Sequence, residues 1–324
     1  MDLPPELHVS AFAAMGTECE IRLLAPAGVS GAALAEQAMA DVRRLEARYS
    51  RYRDDSDLSA INRIAAAGGA FEADAETAAL LDYAQACYRQ SGGLFDITSG
   101  ILRQAWRFRE SELPDPGLID RLRERIGWNR LCWHAPWLEF PLPGMELDFG
   151  GIVKEYAVDR VAALLGQAGV RHGFVNLGGD VHVFGPQADG TPWRIGIRHP
   201  RRPGGLLTTL ELRSGALASS GDYERCIVVD GVRYGHILNP CTGWPVRAMA
   251  AVSVLAPLCV VAGSAATIAM LKEDEGCAWL DEMALPCVWV KVNGECGGSL
   301  IGSNADALAD GARHGTHTPR PSAV

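Results

Sequence analysis

Nine cysteines, at 19, 87, 132, 226, 241, 259, 277, 287 and 296, are spread over the 324 residues without a single Cys-x-x-Cys pair. Odd in number and scattered, they exclude a disulfide framework and a structural zinc site of the usual spacing. No segment approaches the roughly 18 uninterrupted apolar residues of a membrane span. Positive charge is scarce: 30 basic residues stand against 39 acidic ones, a formal net charge of −9. This excludes a general attraction to nucleic acid or to an anionic membrane, both of which demand a basic face. The cluster Arg198, Arg201 and Arg202 reads as a solvated loop. The opening Met1-Asp2-Leu3-Pro4-Pro5 has no basic n-region, apolar h-region or lipidation cysteine. As written, the chain reads as cytoplasmic, or as periplasmic if a signal segment was removed.

What is present suits a packed globular protein, with 48% hydrophobic and 21% charged residues. The length exceeds what one core easily fills, so one large or two fused units are expected. His8 to Phe12 and Cys19 to Leu23 read as strands. Gly31 to Tyr49 and Asp74 to Gln90 read as helices, with the polar stretch 50 to 59 between them rich in capping residues. A short helix from 117 to 126 sits in an irregular Arg-rich region. Strands follow at 173 to 185, 193 to 198, 206 to 212 and 227 to 234, with connections short enough for antiparallel pairing. A further strand covers 252 to 255, an apolar helix 261 to 272, and a last strand 288 to 292. Helices and strands do not alternate as βαβ units, so the class is α+β.

The stretch Leu147-Asp148-Phe149-Gly150-Gly151-Ile152-Val153-Lys154-Glu155 reads as a strand, a tight glycine turn and a helix start. Unpaired N–H groups and the positive end of the helix dipole make such a start receptive to an anion such as phosphate. Lys154, in the first turn, adds a mobile cation.

An ordered set of motifs carries a resemblance. It comprises Met-Gly-Thr at 15 to 17, Ser-Arg-Tyr at 50 to 52 with Asp-Ser at 55 to 56, and Phe-Asp at 95 to 96. Leu-Asp-Phe-Gly-Gly-Ile-Val-Lys at 147 to 154 and Asn-Leu-Gly-Gly-Asp at 176 to 180 follow. Ser-Gly-Asp-Tyr-Glu-Arg at 220 to 225 and His-Ile-Leu-Asn-Pro at 236 to 240, with Thr-Gly at 242 to 243, complete it. Together they resemble the ApbE family of FAD:protein FMN transferases.

The resemblance implies a duplicated T-fold-like α+β architecture around a FAD cleft. One unit, residues 1 to 302, would contain two intertwined halves, and 303 to 324 would be a disordered tail. It implies transfer of the FMN moiety of FAD to a Thr or Ser hydroxyl of a target flavoprotein, with release of AMP. Met15, Tyr52, Leu94, Phe95, Asp96, Asp148, Lys154 and Ile237 match the family's FAD contacts. Their chemistry agrees with that role, since an aromatic covers a flat ring system, carboxylates accept from ribose or ring N–H groups, and a lysine pairs with phosphate. His236 is the candidate general base, since an imidazole titrates near neutrality. Asp222 is a candidate to orient a partner or position substrate.

The metal site implied by the family, for Mg²⁺, uses a carbonyl at Gly151 and an Ala-Asp-x-x-x-Thr helix start. Here that start reads Ala262-Gly263-Ser264-Ala265-Ala266-Thr267, so Thr267 is kept and the carboxylate position is Gly263. Mg²⁺ favours carboxylate ligands, and Glu155 stands where the family has a glycine. Glu155 therefore either supplies the missing ligand or pairs with Lys154. The resemblance also leaves two alternatives: a FAD pyrophosphatase giving FMN and AMP, as in some family members, or a non-catalytic FAD-binding protein that has lost the usual metal carboxylate at Gly263.

Overall fold

Alternation along the strands decides which elements cover each side of the main sheet. In a computed structural model the chain is described over residues 7–110 and 112–301; the tail expected at 303 to 324 lies outside the described residues. The early strands are β1 (Leu7–Ala14), β2 (Thr17–Leu24), β3 (Gly69–Glu72), β4 (Cys132–His134) and β5 (Trp137–Phe140). Then come β6 (Gly173–Leu177), β7 (Asp180–Gly185), β8 (Trp193–Arg198), β9 (Leu206–Leu212) and β10 (Gly215–Gly221). The last are β11 (Cys226–Val229), β12 (Val232–Gly235), β13 (Met249–Ala256), β14 (Cys287–Lys291) and β15 (Cys296–Gly297). The helices are α1 (Gly31–Tyr49), α2 (Asp57–Ala67), α3 (Ala75–Gln90), α4 (Pro116–Arg123), α5 (Val153–Gln167), α6 (Cys259–Leu271) and α7 (Gly276–Glu282).

Eight strands form one sheet in the order β1-β2-β6-β7-β10-β13-β14-β15. Every neighbouring pair in it is antiparallel. The α+β class read from the sequence is the one observed. Side chains on alternate positions point to opposite faces. Val175, Leu177, Ala216, Ala218, Val252 and Val254 share a core with α1, α5 and α6. Phe174, Val181, Val183, Leu217 and Leu255 join a second core under the β8–β9 hairpin, through Trp193, Ile197, Leu210 and Leu212. On β7, Asp180 and His182 thereby face the helices while Val181 and Val183 face the hairpin. Helix α6 is apolar all round and almost wholly buried, as a helix between other elements must be.

Three sequence expectations are revised. Residues 50 to 59 are not merely a capping stretch: Ser56 accepts from Ser59 N at 3.0 Å and starts α2, which carries buried Leu58, Ile61 and Ala65. Its apolar positions lie three and four apart among alanines and polar residues, a weak stripe beside conspicuous turn chemistry. Residues 145–149, where the sequence suggested a strand, have no regular secondary structure and join no sheet. The short pair β4 and β5, unread in the sequence just after the Arg-rich region, closes a three-stranded sheet with β3.

Candidate functional site

Asn62 of α2 pins the segment before the glycine turn. Leu147 N donates to Asn62 Oδ1 at 2.8 Å, and Asn62 Nδ2 donates to Leu147 O at 3.0 Å. Asp148 N donates to Ile97 O at 2.8 Å. A Cβ on Gly100 would lie 2.5 Å from Asp148 Cβ, so the close approach requires glycine there. The Asp148 carboxylate accepts from Gly150 N at 2.9 Å and from Arg51 Nη1. Arg51 also donates to Tyr52 Oη at 2.9 Å, and its guanidinium stands 5.1 Å from the Tyr52 ring centroid. Tyr52 is 73% exposed and leaves an aromatic surface open to a planar ligand. These contacts link Asp148, Arg51 and Tyr52 in one rim.

The glycine turn leads directly into α5, where Lys154 and Glu155 occupy the first turn. Lys154 Nζ lies 2.5 Å from Asp180 Oδ2, at the Gly-Gly-Asp bend that starts β7. Of the two roles expected for Glu155, direct pairing with Lys154 is displaced by this Lys154–Asp180 pair. Burial alone would lower the Lys154 pKa, but the Asp180 and Glu155 charges outweigh it and hold it above the ordinary lysine value. Glu155 is buried, at 8% exposure, and its Oε2 has no hydrogen-bond partner. Burial and then the neighbouring Asp180 carboxylate raise its pKa, with Lys154 partly opposing them.

Gly263 explains how Glu155 fits. A Cβ at 263 would lie 2.5 Å from Glu155 Cγ and 2.9 Å from its Oε1. The Glu155 side chain therefore fills the space that a side chain on α6 would need. Thr267, one helical turn along on the same face, shares a 2.8 Å hydroxyl–hydroxyl hydrogen bond with Ser220. Ser219 N donates to Asp180 Oδ1 at 3.3 Å. Among the described residues no three His, Cys, Asp or Glu side chains gather as a metal cluster. Glu155 Oε2, which has no partner, and the Thr267 hydroxyl are nonetheless hard-oxygen donors of the kind Mg²⁺ takes. Gly151 sits against Phe95, whose Cζ would be 3.2 Å from a Cβ placed there.

His236 follows β12 and is exposed on one side. Partial burial and the positive charges of Arg225, Lys154 and Arg51 push its pKa below the usual histidine value, against an opposing contact with the Arg225 backbone. Solvent on its open side screens part of that push. With its pKa lowered, the imidazole is neutral near pH 7 and free to accept a proton. Asp222 lies against Gly235, the residue before His236, where an added Cβ would be 3.0 Å from Asp222 Cβ. Arg201 is not a solvated loop residue as the sequence suggested. Its guanidinium grips buried Asp222 through two 2.6 Å hydrogen bonds.

The remaining expected residues surround this centre. Met15 takes the left-handed conformation, with φ 52°, and its N donates to Glu46 Oε1 at 2.7 Å. The next residue, Gly16, brings the loop against Arg225, whose Nη2 would lie 3.7 Å from a Cβ there. Asp96 is buried, and its oxygens accept from Thr98 N and Oγ1 and from Trp128 N, at 2.7 to 2.9 Å. Burial raises its pKa against those donors. Leu94 and Ile237 pack partly buried on the main core. Arg51, Asp180, Arg201 and Arg225 were given no site role from the sequence. All but Arg201 lie inside the quoted motifs, a signal that could have drawn attention to them.

The ApbE family model matches residues 15–289. This chain belongs to the ApbE family. Curated relatives include the FAD:protein FMN transferase of Vibrio cholerae, 28% identical over 293 residues, covering 88% of this chain and 87% of that one. The FAD:protein FMN transferase of Treponema pallidum is 31% identical over 291 residues, covering 83% and 80%. Among solved structures, the ApbE protein of Thermotoga maritima superposes with a TM-score of 0.83 at 28% identity, covering 91% of this chain and 98% of the other. The flavin transferase ApbE of Vibrio cholerae gives 0.82 at 28% identity, covering 92% and 98%. No helix among the described residues is long and apolar enough to cross a membrane.

Proposed function

We propose that this member of the ApbE family transfers the FMN moiety of FAD to a Thr or Ser hydroxyl of an acceptor flavoprotein and releases AMP. The observation that supports the reading is the rim in which Arg51 links Asp148 to Tyr52, on the glycine turn that leads directly into Lys154. The hydroxyl oxygen attacks the FMN-side phosphorus, the phosphoester bond forms, and the diphosphate P–O bond to AMP breaks. His236 takes the hydroxyl proton as the attack proceeds. Lys154 and Arg225 offset charge accumulating on the phosphoryl oxygens, which favours the transition state more than the bound substrate. Tyr52 covers one face of a flat ring, and the Asp148 carboxylate, held by Arg51 and Gly150, is a fixed acceptor. Met15, Leu94, Phe95, Asp96 and Ile237 shape the pocket around them.

Mg²⁺ would be held by Glu155, Thr267 and the Gly151 carbonyl, and would neutralise diphosphate charge when bound. The test incubates the protein with FAD, Mg²⁺ and an acceptor flavoprotein, following AMP by chromatography and covalent flavin by fluorescence in a denaturing gel. Acceptor-dependent AMP with fluorescence retained on the acceptor is the expected outcome. AMP and free FMN without acceptor would replace transfer with hydrolysis, and FAD binding without AMP would leave a flavin binder.

A further inference from the structure

Strand β1 is one edge of the eight-stranded sheet, and its free side is unguarded. Its neighbour β2 shows which way the backbone points. Glu18 O accepts from Gly178 N at 3.0 Å and Leu24 N donates to His172 O at 3.0 Å, so the even-numbered residues of β2 direct their backbone toward β6. Their partners on β1, Leu7, Val9, Ala11 and Ala13, therefore turn their N–H and C=O groups away from β2. Among the described residues no backbone group takes up those of Val9, Ala11 or Ala13. Edge strands are ordinarily blunted by charge, proline or a bulge. Strand β1 reads Leu-His-Val-Ser-Ala-Phe-Ala-Ala, without lysine, acid or proline, and its register with β2 runs from Leu7 to Ala14 without a shift.

This edge leads to the candidate site. It ends at the Met15-Gly16 turn, which stands against Arg225, so a strand lying along β1 has one end beside that arginine. Val9, Ala11 and Ala13 face away from the helices and are exposed, Val9 at 49%. Opposite Ala13 and Ala11 on β2 stand Glu18 and Glu20. Glu20 is engaged by Arg22 at 2.6 Å, whereas exposed Glu18 enters no ion pair among the described residues. The small Ala13 side chain leaves room for a long cationic side chain to reach Glu18 across two strand spacings of about 4.8 Å each. A second copy of β1 offers no such cation, since its one titratable side chain, His8, lies on the face that meets Gly31 of α1. We infer that the acceptor flavoprotein docks by adding an extended segment beside β1, with a Lys or Arg above Ala11 or Ala13 meeting Glu18. Its Thr or Ser hydroxyl then passes the Met15-Gly16 turn into the site. The inference rests on the transferase reading for the identity of that partner.

The probe is a fluorescein-labelled peptide of alternating lysine and valine ending in threonine, beside a control with glutamate in place of lysine. Fluorescence anisotropy is expected to show the lysine peptide bound, and the glutamate peptide bound less tightly. Val9→Pro, whose lost N–H faces outward, and Glu18→Lys are each expected to weaken the lysine peptide roughly tenfold. Both are expected to raise KM for the acceptor flavoprotein while kcat and FAD affinity hold, and retained FAD affinity shows that they are folded. Glu18→Lys is expected to prefer the glutamate peptide instead. Equal binding of the lysine peptide by wild type and both variants, or none by wild type, would overturn the inference, as would an unchanged acceptor KM in both. Sedimentation in which Val9→Pro splits a wild-type dimer would give the edge to a second copy and overturn it too. Failure of the transferase reading shows differently, as peptide binding that depends on Val9 and Glu18 with no acceptor labelled.

Discussion

Arg201 clasps Asp222 with two parallel hydrogen bonds of 2.6 Å, Nη1 to Oδ1 and Nη2 to Oδ2. The arginine lies in the β8–β9 connection and the aspartate just past the end of β10, so the pair ties the covering hairpin to the neighbourhood of His236. Removing the guanidinium strands a carboxylate that is 5% exposed. Arg201→Ala is expected to lower stability by about 2–3 kcal/mol in urea unfolding. Arg201→Lys, which keeps the charge but not the fork, is expected to recover only part of it.

His236→Gln is expected to slow flavin transfer by roughly 10²- to 10⁴-fold, the usual contribution of a general base, with little change in FAD affinity. Single-turnover rates beside FAD titration separate the two.

The pH dependence has a definite sign. A base must be neutral to act, so the rate falls as pH falls and the imidazole takes up a proton. Burial and then Arg225, Lys154 and Arg51 lower its pKa, so the midpoint of the acid limb is expected below the ordinary value of about 6.5. The same shift means the folded state resists protonation more than the unfolded chain. Its stability contribution is complete above about 6.5 and is lost as pH falls through the interval below it. A His236→Gln profile lacking that limb checks the assignment.

Asn62→Ala removes both hydrogen bonds that pin Leu147, a residue with 0% exposure. A loss of about 2 kcal/mol is expected in thermal unfolding, with weaker FAD binding because Asp148 is no longer held in place.

Tyr52→Ala is expected to weaken FAD binding by roughly five- to tenfold, in line with about 1 kcal/mol for an aromatic contact, whereas Tyr52→Phe keeps most of it. The exposed ring carries little of the fold, so unfolding temperatures should barely move.

Much of this was legible in the chain. The alternating strands, the amphipathic α1 and the glycine turn announce themselves through period and turn chemistry. His236, Lys154, Tyr52 and Asp148 stand inside an ordered motif set. Long-range partnerships were not legible. That Glu155 turns inward to Gly263, more than 100 positions away, depends on how α5 meets α6, and no local pattern encodes it. Arg201 looked like one of three solvated arginines because its partner lies on another connection. Helix α2 was hidden because capping residues advertise turns as readily as helix starts.

The pairing of β2 with β6, in which Cys19 lies opposite Leu177, sets the order in which the protein can be made. The loop bearing Met15 leaves the ribosome early, but the Asn176 to Asp180 bend, His236 and Gly263 come much later. Non-local pairing of this kind delays assembly, because the closing contacts wait for distant chain. A nascent fragment ending before α6 therefore lacks Gly263, against which Glu155 packs, and Thr267, the partner of Ser220. The cleft is completed only when nearly the whole chain has been synthesised.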